Sequence, residues 1–362
     1  MAAQHIAIIY GGKSTEHEVS IRSARNIAKA IDKTKYTLSL IAIAKDGSWY
    51  AKSLEELNAE NAVLPSKNRL SLLPGGERGV LINQSTNLEL PKLAAIFPIV
   101  HGTGGEDGSL QGLLKTMNIP FVGPGVIGSA LCIDKEVAKR VLSEAGIANC
   151  KFLAYHSSQR NQITYEKAQA ALGVPMYIKP PNLGSSVGIS KVTTKREFDV
   201  AIDEALKYDR KVLIEQSIVG REIECAVLGN AEVLASPVGE VVTNQDNHTF
   251  YDYAAKYTDA NGSVTMIPAQ MDEATQNRIR EIAIKAYKVL NCEGMARVDV
   301  FVTEAGDILV NEVNTLPGFT DISMYPKLWE AGGIAYSELI TKLIELAIER
   351  SEDEDNMQTS VS

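Results

Sequence analysis

The chain has 362 residues, 45% hydrophobic and 22% charged, with a formal net charge of -9 at pH 7. That length suggests two or three domains of ordinary soluble composition, and the acidic balance argues against a nucleic-acid partner, whose usual footprint is a basic patch. Cys132, Cys150, Cys225 and Cys292 are scattered with no CxxC pair, which disfavours a zinc site or a disulfide framework and suits a reducing cytoplasm. The start of the chain lacks a signal-peptide pattern, and no apolar stretch is long enough to span a bilayer, so no membrane role is expected.

The first third alternates short apolar runs with helical patterns. Ile6 to Tyr10 reads as a strand, Gly11-Gly12 as a turn, and Ala24, Ile27, Ala28 and Ile31 recur at helical spacing. Leu38 to Ala44 and Leu93 to Val100 read as further buried strands. This alternation predicts an α/β domain with a doubly wound parallel sheet over residues 1–132, with ligands at the C-terminal ends of its strands. Gly12-Lys13-Ser14 is not a Walker A loop, because Ala7 stands where the pattern needs a glycine. Gly11 to Ser20 still enters a helix N-terminus, where backbone N–H groups attract anions; Glu16 and Glu18 there equally suit the helix dipole alone. The glycines of His101 to Gly108 permit close backbone approach to a ligand. His101 itself fits either a hydrogen-bonding orienter or a structural histidine.

Asp134 to Ala145 reads as a helix carrying Lys135, Lys139 and Arg140 and stopped by Gly146. Val174 to Pro180 and Ile189 to Val192 read as strands separated by Asn182 to Gly188, giving a strand–loop–strand pattern. Gly184-Ser185-Ser186-Val187-Gly188 offers amides and hydroxyls suited to phosphate, with Lys179 upstream as a point charge. Glycine–serine turns are also common without any ligand. Val212 to Gln216 and Glu222 to Leu228 read as further strands. Residues 243–263 are polar and aromatic with little period, the character of a mobile lid.

The strongest local signal is Arg297-Val298-Asp299 followed by Asn311-Glu312-Val313-Asn314. Side chains at i and i+2 of a strand share a face. Met295 to Thr303 and Asp307 to Asn314, joined by Glu304-Ala305-Gly306, read as a hairpin. Pairing would gather Asp299, Glu312 and Asn314, hard oxygen donors suited to Mg2+, beside the Arg297 guanidinium. Two half-exposed strands with polar outer faces would carry the same pattern. Leu339, Ile340, Leu343, Leu346 and Ala347 form the apolar face of a last helix. Residues 351–362 are acidic and polar, the composition of a disordered tail.

Taken in order, these stretches resemble the D-alanine–D-alanine ligases of the ATP-grasp superfamily. The resemblance is carried by Gly11 to Ser20, His101 to Gly112, Asp134-Lys135, Lys179 to Gly188, Glu215 to Glu222, Tyr251 to Tyr257, Arg297 to Asp299 and Asn311 to Ser323, which together span nearly the whole chain. It implies three α/β domains: an N-terminal substrate-binding domain (1–132), a central ATP-grasp subdomain (133–216) and a C-terminal domain (217–350) with the metal site and the lid. It implies joining of two D-alanine molecules with ATP, through a D-alanyl phosphate, for peptidoglycan precursor synthesis in a bacterial cytoplasm. ATP and two Mg2+ (or Mn2+) ions are implied, as is a homodimer.

By the same resemblance, Glu16 binds the ammonium of the first D-alanine and links with Ser185 and Tyr257 to close the lid. Asp299, Glu312 and Asn314 hold the metal ions. Arg297 and the Gly318 backbone stabilise the oxyanion. Lys135, Lys179, Lys256, Ser185 and Ser186 serve the phosphates, with Glu215 at the adenine and Glu222 at the ribose. Ser323 takes the carboxylate of the second D-alanine, and His101 helps orient that subsite. Similar enzymes that join D-alanine to D-lactate carry histidine at the position of Tyr257, which is neutral at pH 7. Tyr257→His is therefore expected to raise the lactate-to-alanine product ratio at neutral pH; an unchanged ratio, read by mass, would count against this. Another ATP-grasp carboxylate–amine ligase would share the ATP and metal residues and differ at Glu16, Tyr257 and Ser323. A non-catalytic nucleotide-binding regulator would be expected to lack part of the metal set or the arginine.

Overall fold

The computed structural model describes residues 3–185, 187–243 and 263–358. Strand β1 (Gln4–Gly11) has Ile6, Ala7, Ile8 and Ile9 all fully buried, as a continuous apolar run predicts for a strand covered on both faces. After α1 (His17–Ala30) come β2 (Tyr36–Ile43), β3 (Trp49–Lys52) and α2 (Leu54–Ala59). Next are β4 (Leu70–Leu73), β5 (Val80–Asn83), β6 (Leu88–Glu89), β7 (Ala95–Pro98), α3 (Ser109–Thr116) and α4 (Val126–Ile133). The first sheet has the order β3-β2-β1-β7. β1 is parallel to β2 and β7, whereas β3 returns antiparallel at the edge. Three of the four strands are thus parallel, as expected, and β3 alone departs from that. A separate antiparallel meander, β4-β5-β6, was not foreseen; its strands are short and only half-buried.

α5 (Lys135–Glu144) starts at Asp134, whose side chain accepts a hydrogen bond from Val137 N. The small central sheet follows: β8 (Phe152–His156), α6 (Tyr165–Leu172), β9 (Met176–Lys179), β10 (Ser190–Val192), α7 (Lys195–Ala205) and β11 (Lys211–Gln216). Its order is β10-β9-β11-β8 and its pairings are antiparallel. The third sheet holds β12 (Arg221–Gly229), β13 (Leu234–Thr243), β14 (Ser263–Met266), β15 (Gly294–Val302) and β16 (Ile308–Asn314), ordered β14-β13-β12-β15-β16. α8 (Glu273–Val289) covers it, and α9 (Met324–Ala331) and α10 (Tyr336–Asp355) end the chain.

Packing redraws the boundary expected at residue 133. Ala138 and Leu142 of α5 join the core of the third sheet with Val298, Val310 and Tyr287, not the central core built on Ile178, Phe198 and Ile214. Chain order placed α5 with the central block, but its apolar face is complementary to the third. The acidic end also differs from expectation. α10 continues to Asp355, so the segment read as disordered from residue 351 is helical to that point. A helix already anchored by buried Leu339, Ile340, Leu343 and Ile344 propagates cheaply through an exposed last turn, and Glu354 meets Lys115 at 3.0 Å.

α10 also ties the first domain to the third. Their apolar residues form one cluster, with Phe97 and Phe319 edge to face at 5.5 Å. Arg350 donates to the carbonyls of Gly123 and Phe121, each at 2.7 Å, and lies 4.6 Å over the Phe121 ring. Arg350→Ala is expected to cost about 3 kcal/mol by leaving two inward carbonyls without donors and removing the cation–π contact. Denaturant unfolding at constant m value checks this, and a loss under about 0.5 kcal/mol would refute it. All four cysteines are free and buried.

Candidate active site

The turn after β1 carries Glu16, which is only 8% exposed. It occupies the N-cap position of α1 but caps nothing with its side chain. Its carboxylate instead accepts a hydrogen bond from Ser185 Oγ of the central domain's glycine–serine loop. Gly102 and Gly184 bracket that carboxylate: a Cβ on either would sit 2.8 or 3.0 Å from Oε2. At Gly102 the backbone is also left-handed (φ +75°), so glycine is required there twice over. Ser185 is itself left-handed at φ +52°, an unusual conformation for a residue with a side chain. Glu18, by contrast, pairs with exposed Lys45 at 2.6 Å and takes no part.

His101 bridges the first domain to the third. Its Nδ1 lies 3.1 Å from the Leu316 carbonyl and its Nε2 lies 3.0 Å from Ser23 Oγ, which in turn accepts from Phe319 N. In the neutral ring these partners place the proton on Nδ1. Burial disfavours the charged ring, but Glu106 at 3.5 Å and the charge of Glu16 outweigh it and raise the His101 pKa. His101 and Ser23 together hold the loop that carries Gly318. A Cβ on Gly318 would lie 2.6 Å from Ser323 Oγ, so only glycine permits that approach. Ser323 Oγ accepts from Thr320 N at 2.9 Å, which fixes the hydroxyl at the start of α9.

A cleft lies between the central and third sheets. Tyr177, Ile218 and Phe301 give it apolar walls, and Lys135, Lys179, Ser185, Glu215, Glu222 and Glu312 give it polar ones. Lys135 is 3.0 Å from the Leu183 carbonyl and 3.3 Å from Glu312 Oε2. Lys179 meets Glu215 Oε2 at 2.7 Å, and Lys139 lies 3.1 Å from Oε1 of the same carboxylate. Burial alone would raise the Glu215 pKa, but the two lysine charges outweigh it and hold the group below its usual range. Lys139 moves up in step, since its charge partner more than offsets its burial.

The hairpin pairs as its spacing predicts. Arg297 faces Asn314 and Asp299 faces Glu312 across β15–β16, with a bulge after Asp299 that re-aims the strand. Arg297 donates a two-pronged fork to Asp299 through Nε and Nη2, each at 2.7 Å, and its Nε is 3.0 Å from Glu224 Oε2. Asn314 Nδ2 donates to Asp299 Oδ2 at 2.9 Å. Burial opposes the guanidinium charge, but Asp299 and Glu224 outweigh it and raise its pKa. Among the described residues, no three His, Cys, Asp or Glu side chains cluster as a complete metal cage. Two carboxylates and an amide oxygen suit a hard cation whose remaining ligands are waters and phosphates, as Mg2+ prefers, so this donor set fits such an ion.

Contacts lead from Glu16 to Ser185 and, in the same loop, from Leu183 to Lys135 and on to Glu312, which stands opposite Asp299 in the hairpin. Ser186, Lys256 and Tyr257 lie outside the described residues, as does most of the segment read as a lid. Sequence reasoning missed Lys139 and Glu224. Both had a signal: Lys139 is one helical turn after Lys135, and Glu224 shares a strand face with Glu222. What it lacked was the register that sets Glu224 opposite Asp299.

A cleft between two antiparallel sheets, lined by Lys135 and Lys179 and by Glu312 of the carboxylate–arginine hairpin, places the chain among the ATP-grasp enzymes. Family models for the D-ala D-ala ligase N-terminus and C-terminus match residues 5–124 and 141–345. The D-alanine–D-alanine ligase of Shouchella clausii is 52% identical, covering 100% of this chain and 99% of that protein. The D-alanine–D-alanine ligase A of Escherichia coli K12 is 47% identical over 100% of both. Among solved structures, the D-alanine–D-alanine ligase from Coxiella burnetii aligns with TM-score 0.84 at 36% identity, covering 98% of this chain and 97% of that one. A D-Ala:D-Ser ligase from Enterococcus faecalis aligns equally, with TM-score 0.84 at 37% identity, over 96% and 100% of the two chains. This chain belongs to the D-alanine–D-alanine ligase family.

Proposed function

We propose that this protein is an ATP-dependent ligase that joins two D-alanine molecules into D-alanyl-D-alanine for the cell wall, releasing ADP and phosphate. The observation that carries the reading is the Arg297–Asp299–Glu312–Asn314 hairpin, whose Glu312 lines the cleft with Lys135 and Lys179. Glu16 receives the ammonium of the first D-alanine, with Ser185 holding its carboxylate. One carboxylate oxygen of that D-alanine attacks the γ-phosphorus of ATP, ADP leaves, and a D-alanyl phosphate forms. Lys135 and Lys179 orient the phosphates, so the step depends on positioning rather than on a protein nucleophile. The amine of the second D-alanine, anchored at Ser323, attacks the carbonyl carbon. The oxyanion that develops faces Arg297 and the Gly318 N–H. Phosphate then leaves and the amine loses its proton. Asp299, Glu312 and Asn314 would hold two Mg2+ or Mn2+ ions, which would supply positive charge to neutralise the phosphates.

Glu222 takes the ribose hydroxyls, and Lys256, Tyr257 and Ser186 complete the closed site, as the family resemblance implies. We also infer a homodimer acting in the cytoplasm; among the described residues, no helix is long and apolar enough to cross a membrane.

Phosphate release is the test, with ATP and Mg2+ and either D-alanine, L-alanine, or D-alanine mixed with D-serine or D-lactate, and the products weighed. D-alanine-dependent release with D-alanyl-D-alanine formed is expected. Preferential D-alanyl-D-serine would instead favour the acceptor named for the Enterococcus faecalis relative. Ser185→Ala removes the donor to Glu16 and is expected to lower kcat/KM for D-alanine about tenfold, the order of one lost hydrogen bond. An unchanged kcat/KM would remove Ser185 from the substrate site.

A further inference from the structure

Lys139 touches none of the substrate or phosphate positions above, yet it is only 1% exposed. Its Nζ lies 3.1 Å from Glu215 Oε1, 3.3 Å from the Asn311 carbonyl and 3.2 Å from Cys150 Sγ. Lys179 takes the other oxygen of the same carboxylate, Oε2, at 2.7 Å. Two lysines thus share one carboxylate, one on each oxygen, but they are not equivalent. Lys179 lines the cleft beside the glycine–serine loop, whereas Lys139 lies behind its wall, fixed by α5 and by β16.

We propose that Lys139 is a positioning residue that keeps Glu215 an ionised, acceptor-only group, so that the cleft reads the amino edge of a purine and rejects an oxo edge. The inference rests on the ATP-ligase reading of the cleft. Two observations and one chemical rule support it. Glu215 Oε1 is buried and accepts no aligned hydrogen bond among the described residues, although Lys139 is within ion-pair distance. The same side chain lines the cleft, so its carboxylate meets a ligand N–H there while Lys179 takes Oε2 and Lys139 backs Oε1 from behind the wall. An ionised carboxylate accepts only, whereas a protonated one also donates.

The asymmetry of the two lysines follows from their places. When Lys179 turns toward nucleotide phosphate, Glu215 loses one of its two cations in a site where burial favours its protonation. Lys139 has no phosphate to follow and stays. It therefore preserves the carboxylate at the moment the base arrives. The exocyclic amine at C6 of adenine can donate to that carboxylate; the carbonyl at C6 of hypoxanthine or guanine cannot. Base selectivity of the pocket is then set by a lysine that never meets the base.

Calorimetric binding of ATP and of inosine triphosphate, which differ at C6, tests this on the full-length protein, alongside steady-state kinetics. Lys139→Met is expected to weaken ATP about tenfold and to narrow the ATP-to-inosine triphosphate ratio by a similar factor, with the KM for D-alanine unchanged. Glu215→Gln should narrow the ratio too, and adding Lys139→Met to it should narrow it no further, because the lysine acts through that carboxylate. A merely structural lysine would lower the melting temperature and leave the ratio intact, and that result would overturn the proposal. So would an additive loss of selectivity in the double variant. If Lys139→Met yields no folded protein, Lys139→Gln carries the same test, since it keeps a donor and removes the charge. Nucleotide binding is read without turnover, so absence of D-alanine-dependent phosphate release by the wild type would sink the ligase reading separately.

Discussion

Arg297→Lys is expected to lower kcat about a thousandfold while leaving the KM for ATP nearly unchanged. The guanidinium is aimed by two hydrogen bonds to Asp299 and by the Glu224 carboxylate, through Nε and Nη2. Among the described residues these contacts leave Nη1 for a substrate oxygen. Such a donor is fixed before the reaction begins and meets charge that appears only in the transition state, which is why its loss falls on kcat. Lysine keeps one positive charge but is a single point; its three N–H groups cannot reproduce the two-pronged fork to Asp299, the contact to Glu224 and a further donor for substrate. The control is thermal unfolding, because Asp299 and Glu224 are left with a poorer partner. A folded variant with wild-type kcat and a raised KM would show that Arg297 serves binding alone.

Asp299→Asn is expected to cost at least as much, about a thousandfold in kcat/KM for ATP, and to raise the Mg2+ concentration needed for half-maximal rate by about tenfold or more. Asp299 is the hub of the hairpin. It accepts the Arg297 fork, accepts from the Asn314 amide, and stands opposite Glu312 in register. An amide removes one of only two carboxylates in the donor set. It also turns an NH2 toward the Arg297 N–H groups, so donor meets donor and the fork is released. Asp307→Asn, in the turn of the same hairpin, is the matched control and should stay within about twofold. A Mg2+ titration that superimposes on the wild type would take Asp299 out of the metal site.

The hairpin is the part of the site most legible in the sequence. Period-two placement of Arg297, Asp299, Glu312 and Asn314 and a glycine in the turn demand one face and one pairing, and the structure has that register. β1 was legible for a similar reason, since Ile6 to Ile9 form an unbroken apolar run. The meander at residues 70–89 was not, because half-buried short strands carry little periodicity. The helicity of residues 351–355 was hidden by their acidic composition. Local composition suggests disorder, but a helix with buried Leu339 and Leu343 extends beyond its packed face.

The sequence by itself determined the alternation of elements, the hairpin chemistry, the ordered motifs and hence the family. The elements and the hairpin pattern depend on interactions a few residues long, which spacing encodes directly, whereas the family rests on the resemblance of the motifs taken in order. Only the tertiary structure decided which other distant groups meet: His101 with the Leu316 carbonyl, Lys135 with Glu312, and α5 with the third core rather than the central one; the Ser185–Glu16 bond is one the family resemblance already implied. The same holds for Lys139, one of several lysines by sequence and a buried partner of Glu215 by structure. Burial and long-range register turn an ordinary charge into one with a single fixed partner, and neither is written in the spacing of neighbours.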